Sequence, residues 1–308
     1  MAGGLPWVAV GTVAEADVDT VPDTVLARVP LRGGIDRRPG LCARAVVRRV
    51  AAMTAVDDVK AEIDAVADPE TGRFLQGFFK TGPGQYGEGD RFVGVRVPVL
   101  RRIAKGYTDL SPGDLRDLLD SAMHEHRLIA LVILVGQWKA SAAGRGDDGG
   151  VEVRHGRRAE LHRFYLDTLR AGRVNNWDLI DASAEYLIGE YLLGEGADPR
   201  KSPLLDELAA APSQWERRAA VLATFAFIKS GDPMPTLALA GRLLGDPEPL
   251  MHKAVGWMLR EVGKRVSRDD LLGFLDANAG GMPRTMLSYA TEHLAPDQRA
   301  AYRAVPRR

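Results

Sequence analysis

From Met53 onward one pattern repeats along the chain: apolar residues recur every three to four positions, and a polar or glycine-proline break closes each stretch. That period places the apolar side chains on one face of an α-helix. "MTAVDDVKAEIDAVADPE" reads as the first such helix, and others are legible in "HEHRLIALVILVGQWKA", "RAELHRFYLDTLR", "DPEPLMHKAVGWMLREVGKR" and "SRDDLLGFLDANA". Start signals agree with the periodicity. In "SPGDLRDLLDSA", Ser111 is suited to the N-cap, Pro112 to the first turn, and Asp114 follows the cap by three residues. In "SQWERRAAVLATFAFIK", Ser213 and Glu216 have the spacing of a capping box. "GDPMP" and "GDPEP" separate helices, and "SAAGRGDDGG" is the one long polar loop. No stretch alternates with period two, so the expected fold class is all-α.

The helices also come at even distances. Trp177, Arg218 and Trp257 are 41 and 39 residues apart (218 − 177 and 257 − 218), close to the ~40 to 47 of two-helix HEAT or armadillo repeats. Equivalent positions in such a stack line one face of a curved solenoid, typically the concave one. The spacing therefore predicts an α-solenoid of HEAT-like helical repeats with these three side chains along one groove.

Residues 1–52 break the pattern, mixing Val, Pro, Gly and Arg without a sustained period. They read as a disordered extension or a start assigned too far upstream, leaving 53–308 as a single repeat domain. The alternative is a basic arm for a polyanion, formed by Arg37, Arg38, Arg48 and Arg49.

Composition narrows the class. With 308 residues, 45% hydrophobic and 27% charged, the chain has the balance of a folded, soluble protein. The single cysteine, Cys42, excludes an intrachain disulfide framework and a Cys-based zinc site. It fits a reducing cytosol, and with no apolar run of membrane-spanning length and no signal-peptide pattern the expected location is cytoplasmic. Forty-one Lys and Arg balance 41 Asp and Glu, so only a local basic groove can advertise a nucleic-acid partner. Residues 210–268 supply one candidate, with nine Lys or Arg against five Asp or Glu.

Several short motifs fail on context. "GPGQYG", residues 82–87, spells G-x-G-x-x-G but follows a helical stretch, contains Pro83 and runs into Glu88 and Asp90, whereas a dinucleotide loop needs a strand before it. His124 and His126 in "HEHR" sit at i,i+2 on different helix faces and do not form H-E-x-x-H, so no metal site is expected. Solvated helix caps account for these residues. Trp177 and Asp181 stand at i,i+4, and Trp257 and Arg260 at i,i+3, so each pair shares a helix face. One reading makes both tryptophans core and Asp181 a local cap or ion-pair member. The other notes that an Asp in an apolar helix is costly unless paired or open to a cleft, and that Arg217, Arg218 and Arg260 provide cations. A basic groove with aromatic faces suits nucleic acid.

"FFKTGPGQYGEGDRFVGVRVPVLRRIAK", "VNNWDLIDASAEYLIG", "WERRAAVLATFAFIK" and "KAVGWMLREVGKR" together resemble the HEAT-repeat alkylpurine DNA glycosylases, the AlkD-like DNA alkylation repair family, over roughly residues 55–300. The resemblance implies a concave DNA-binding face and a monofunctional glycosylase. It would release cationic N3- and N7-alkylpurines from duplex DNA without an enclosing base pocket, using no metal or small-molecule cofactor. It implies catalytic roles for Trp177 and Asp181, packing of Trp257 on the lesion's sugar and backbone, and phosphate contacts by Arg260 and by Arg218 or Arg217, the doublet leaving that choice open. Asn175 and Asn176 read as hydrogen-bond formers at the helix start. The expected form is a monomer without membrane partners. Two other readings remain at this point: a non-catalytic DNA-binding repeat protein, which would lack Trp177 or Asp181, and a protein-binding scaffold, which would lack the arginines.

Overall fold

The computed structural model describes residues 54–143, 150–194 and 203–307. The expectations for residues 1–52, Cys42 included, and for the centre of the loop around residues 141–156 fall outside them. The first helix, α1 (Ala55–Ala65), begins where Thr54 and Asp57 form a reciprocal capping box. It is followed by α2 (Pro69–Gln76), α3 (Val97–Ala104), α4 (Pro112–Leu119), α5 (His124–Ala143) and α6 (Gly150–Arg170). The middle of the chain holds α7 (Trp177–Asp181), a π-helical turn (Glu185–Glu190), α8 (Tyr191–Gly194), α9 (Pro203–Ala209) and α10 (Gln214–Lys229). The last elements are α11 (Met234–Arg242), α12 (Pro249–Arg265), α13 (Arg268–Asn278), α14 (Arg284–Ala290) and α15 (Pro296–Ala304). Among the described residues there is no strand, only an isolated bridge between Arg91 and Met123. None of their helices is long and apolar enough to cross a membrane.

The caps read from the sequence hold in part. Ser111 and Asp114 form the full box at the start of α4. Ser213 does cap α10, but its hydroxyl accepts from the Trp215 N–H at 3.3 Å and makes no reciprocal box with Glu216.

The helices stack in an α-solenoid-like order. Helix α10 packs against α7 and the π-helical turn on one side and α12 on another, with α9 and α11 also against it, while α12 continues the stack onto α13 and α14. The three residues spaced about 40 apart therefore stand on α7, α10 and α12, each packed on the next. Helix α10 is the most enclosed: every residue from Arg218 to Ile228 is buried.

Two glycines set how closely these helices approach. A Cβ at Gly189 would lie 2.2 Å from the Ala223 carbonyl oxygen of α10, and one at Gly256 would lie 2.4 Å from the Met286 carbonyl oxygen of α14. Both contacts are with backbone, which cannot turn aside as a side chain can. Gly136 in α5 is exposed, and a Cβ there would meet nothing within 4 Å. Gly256→Ala should accordingly cost about 1–3 kcal/mol from overpacking, whereas Gly136→Ala should gain up to about 1 kcal/mol from helix propensity. Thermal unfolding of the two variants should show shifts of opposite sign; equal or same-sign shifts would contradict the α12–α14 spacing.

Candidate active site

The segment "VNNWDLID" places its side chains through a one-turn-and-a-half helix that buried groups hold at both ends. Asn176 is the N-cap of α7, its side-chain oxygen accepting from the Trp177 N–H at 2.8 Å and its amide donating to Asp90 at 2.8 Å. Both asparagines act as hydrogen-bond formers here, since Asn175 also accepts from Arg127. Just past the C-terminus of α7, the Ser183 hydroxyl donates to the Leu179 carbonyl at 2.6 Å and lies 2.9 Å from the Tyr165 hydroxyl. Leu179 and Ile180 face the core, which turns Trp177 and Asp181 toward the partly open side.

Asp181 is met by Arg218 of α10 in a fork: Nε donates to one carboxylate oxygen at 2.9 Å and Nη2 to the other at 2.8 Å. The remaining terminal nitrogen, Nη1, donates to the Leu250 carbonyl at 2.7 Å, in the first turn of α12. One guanidinium thus ties α7, α10 and α12 together. The Asp181 side chain keeps 18% of its exposure and that of Arg218 only 6%, so the pair is largely desolvated but not sealed. Burial pushes the Asp181 carboxyl above the ordinary carboxylate range; Arg218 pulls it back down and nearby Asp178 pushes it up.

Trp177 is half-buried and braced from the loop between α2 and α3. Phe79 stacks on it with ring centres 5.2 Å apart and planes 17° apart, and burial raises the pKa of the Tyr86 hydroxyl while Trp177 draws it down. Tyr86 in turn meets Trp215 edge-on at 5.8 Å. The "GPGQYG" loop is therefore a wall of the site, a role its sequence context did not suggest. Behind it, Glu125 of α5 accepts from the N–H groups of Val93, Gly94 and Val95 at 3.0, 2.8 and 3.2 Å, fixing the end of this loop to α5. His124 is 2% exposed and lies between Asp90 and Asp178. The expectation that the "HEHR" residues are solvated caps is thus corrected: all four are buried. The overlooked signal was four polar residues opening a long, largely apolar helix, where each needs a partner once buried.

Helix α12 contributes Trp257 and Arg260, on the same face as Leu250 and Lys253. Trp257 leans on Phe225 of α10 at 6.4 Å, and Phe225 also carries Lys229 at 4.9 Å and Arg265 at 5.2 Å over its ring. Arg260 pairs with Glu261 at 2.9 Å and with Glu292. Arg217 points elsewhere: it pairs with Asp246 at 2.6 Å and donates to the Ala211 and Pro212 carbonyls. Of the arginine doublet, Arg218 is the one at Asp181. Trp177 and Trp257 stand on α7 and α12 with α10 between them. Much of the basic excess of residues 210–268 is already matched, because Arg217, Lys229, Arg242, Arg260 and Arg265 all sit in ion pairs. Lys253 stands near Arg218 and Lys80, and burial with those two cations lowers its pKa. A cavity of about 230 Å³ lined by residues such as Leu115, Gln137 and Phe164 is separate, containing none of these groups. Among the described residues no cluster of His, Cys, Asp and Glu is arranged to hold a metal ion.

A family model described as DNA alkylation repair enzyme matches residues 59–294. Among solved structures, the chain is similar to a predicted DNA alkylation repair enzyme from Enterococcus faecalis, with a TM-score of 0.52 and 13% identity over 75% of this chain and 97% of that one. No curated protein matches the sequence.

The fork on Asp181 makes two measurable statements. Removing one partner of a buried pair leaves the other charge uncompensated, so Arg218→Met should cost about 3–5 kcal/mol, and the double change Arg218→Met with Asp181→Leu should recover most of it. Because a point charge replaces a two-toothed donor, Arg218→Lys should raise the Asp181 carboxyl further above its usual range, so that it protonates at a higher pH as acid is added. Denaturant unfolding and a carbon-13 titration of the Asp181 carboxyl check the two in turn. An unmoved titration would mean that Arg218 does not set the charge on Asp181.

Proposed function

The chain belongs to the DNA alkylation repair enzyme family, and from that premise we propose that it is a monofunctional glycosylase that hydrolyses the N-glycosidic bond of cationic N3- and N7-alkylpurines in duplex DNA. The observation that carries this reading is the Asp181–Arg218 pair on a partly open face, with Trp177 on the same short helix and Trp257 on a neighbouring one. A carboxylate held in low dielectric stabilises positive charge far better than one in water. Alkylation at N3 or N7 makes the purine a cationic leaving group, and its departure leaves oxocarbenium character on the deoxyribose. An anionic Asp181 beside C1′ lowers the energy of that charge and orients the attacking water, as carboxylates do in glycoside hydrolases. The indole faces add cation–π attraction and exclude bulk water.

Arg218 supports this scheme in a second way. In the free protein it is the counter-ion that pulls the Asp181 carboxyl back down against the upward push of burial. Once a lesion's sugar brings its own developing positive charge, Asp181 has another partner, and Arg218 is free to hold a backbone phosphate. Arg260 does the same from α12, exchanging Glu292 for phosphate. The partner is then duplex DNA carrying alkylated bases, bound along the face shared by α7, α10 and α12, with the protein acting as a monomer and without cofactor. Among the described residues no general acid aimed at a neutral base accompanies Asp181, so selection follows leaving-group charge.

Incubating the protein with methylated duplex DNA should release 3-methyladenine and 7-methylguanine and leave an intact strand with abasic sites, seen by chromatography of the free bases. Release from uracil, hypoxanthine or ethenoadenine should be poor under single-turnover conditions, and bulky N3 or N7 substituents should be tolerated. Comparable rates on neutral lesions would overturn the charge-selection mechanism. Asp181→Asn should abolish release while binding persists; Arg260→Ala should flatten the plot of log affinity against log salt by about one. A wild-type rate in the first variant removes Asp181 from the reaction, and an unchanged slope in the second removes the phosphate contact.

A further inference from the structure

His124 is the first residue of α5 and lies buried behind α7, and both of its ring nitrogens point at carboxylates. Nε2 is 2.6 Å from Asp178 and Nδ1 is 3.3 Å from Asp90. Carboxylates only accept, so both contacts are satisfied together only when the ring is the doubly protonated imidazolium, donating at each nitrogen. The charges then close: Asp90 and Asp178 are balanced by His124 and Arg127, while Asn175 accepts from Arg127 and Asn176 donates to Asp90. A neutral imidazole would leave a buried negative charge in excess, which is costly.

One flat face of the same ring is also occupied, and Phe79 tilts against it from beside Phe92, 4.9 Å away. Phe92 stacks on that face at 4.7 Å and 22°, Phe79 meets the ring at 4.8 Å, and Phe79 stacks in turn on Trp177. A cation against aromatic faces is attracted to them. His124 thus reaches the site by two routes, through the column His124–Phe79–Trp177 and through Asp178, which begins the turn that ends in Asp181.

We propose that His124, held as an imidazolium between Asp90 and Asp178, is a positioning residue of the active site that sets the plane of Trp177 through Phe79 and offsets part of the charge that Asp178 exerts on Asp181. The inference rests on the glycosylase reading for its effect on rate, while its geometry stands independently. The groups facing His124 are Asp90 from the loop before α3, Asp178 from α7, and Arg127 from its own helix. Burial opposes the charge and Arg127 adds to that opposition, but the two carboxylates outweigh both and push the imidazole up to about 9. The imidazolium is therefore the form present at neutral pH, and it is lost as pH rises through that value.

The test uses the whole chain. Nitrogen-15 spectra of the imidazole should show both nitrogens protonated at pH 7 and a midpoint near about 9. The Trp177 indole N–H signal, identified by its loss in Trp177→Phe, should move with the same midpoint. A midpoint below neutrality, or a Trp177 signal that ignores the titration, overturns the proposal. In single-turnover assays at pH 7, His124→Gln and Phe79→Leu, both checked for wild-type helicity, should each slow base release roughly 10- to 100-fold, the scale expected from misplaced groups, with duplex affinity changed less than about twofold. Wild-type rates in both variants equally overturn it. If the wild type itself releases no base, the glycosylase reading fails, and the spectra still decide on His124.

Discussion

A charged carboxylate taken out of water must be matched where it stands, and in this protein the match for Asp181 arrives from another part of the chain. Arg218 supplies both hydrogen bonds of the fork and then uses its remaining nitrogen on the first turn of α12. Much else in the stack follows from that requirement. Helix α10 must lie near enough to α7 for a guanidinium to bridge them, and Gly189 permits the approach by leaving no Cβ against Ala223. Helix α12 must start beside the same guanidinium. The interaction that would be costly to leave unmade also fixes the geometry of the face on which chemistry is proposed.

The two tryptophans share a construction. Each lies against a phenylalanine whose ring is also approached by a cation: Trp177 against Phe79 with His124 beyond, and Trp257 against Phe225 with Lys229 and Arg265 beyond. A large aromatic side chain at a half-open surface has many orientations to lose. Backing it with a second ring, itself held electrostatically, restricts those orientations before any ligand arrives. Preorganisation of this kind lowers what binding must otherwise spend on ordering side chains.

The helices were legible in the sequence because their signals are local. Ser111 and Asp114, or the period of "KAVGWMLREVGKR", act within a few residues, and the 41- and 39-residue spacing of Trp177, Arg218 and Trp257 carried the stacking order as well. Side-chain pairing carried less signal. Nothing in "WERR" tells which arginine turns to Asp181 and which to Asp246, since both partners are about 30 or more residues away and only the phase of α10 separates the two. The loop residues Phe79 and Tyr86, and His124 at the head of α5, were read past for the same reason. Their partners come from other elements, and each motif taken alone resembles an ordinary turn or cap.

Arg218 has one more consequence, for the length of the stack. In a repeat architecture, units added or removed at an end disturb only one neighbour, and drift in repeat number is tolerated there. Between α7 and α12 it is not. A helix pair inserted on either side of α10 would carry Arg218 out of reach of Asp181 or of Leu250, leaving the buried carboxylate without its cation or the guanidinium without one of its acceptors. The centre of this stack therefore has a fixed count, and growth or loss of repeats is confined to its two ends.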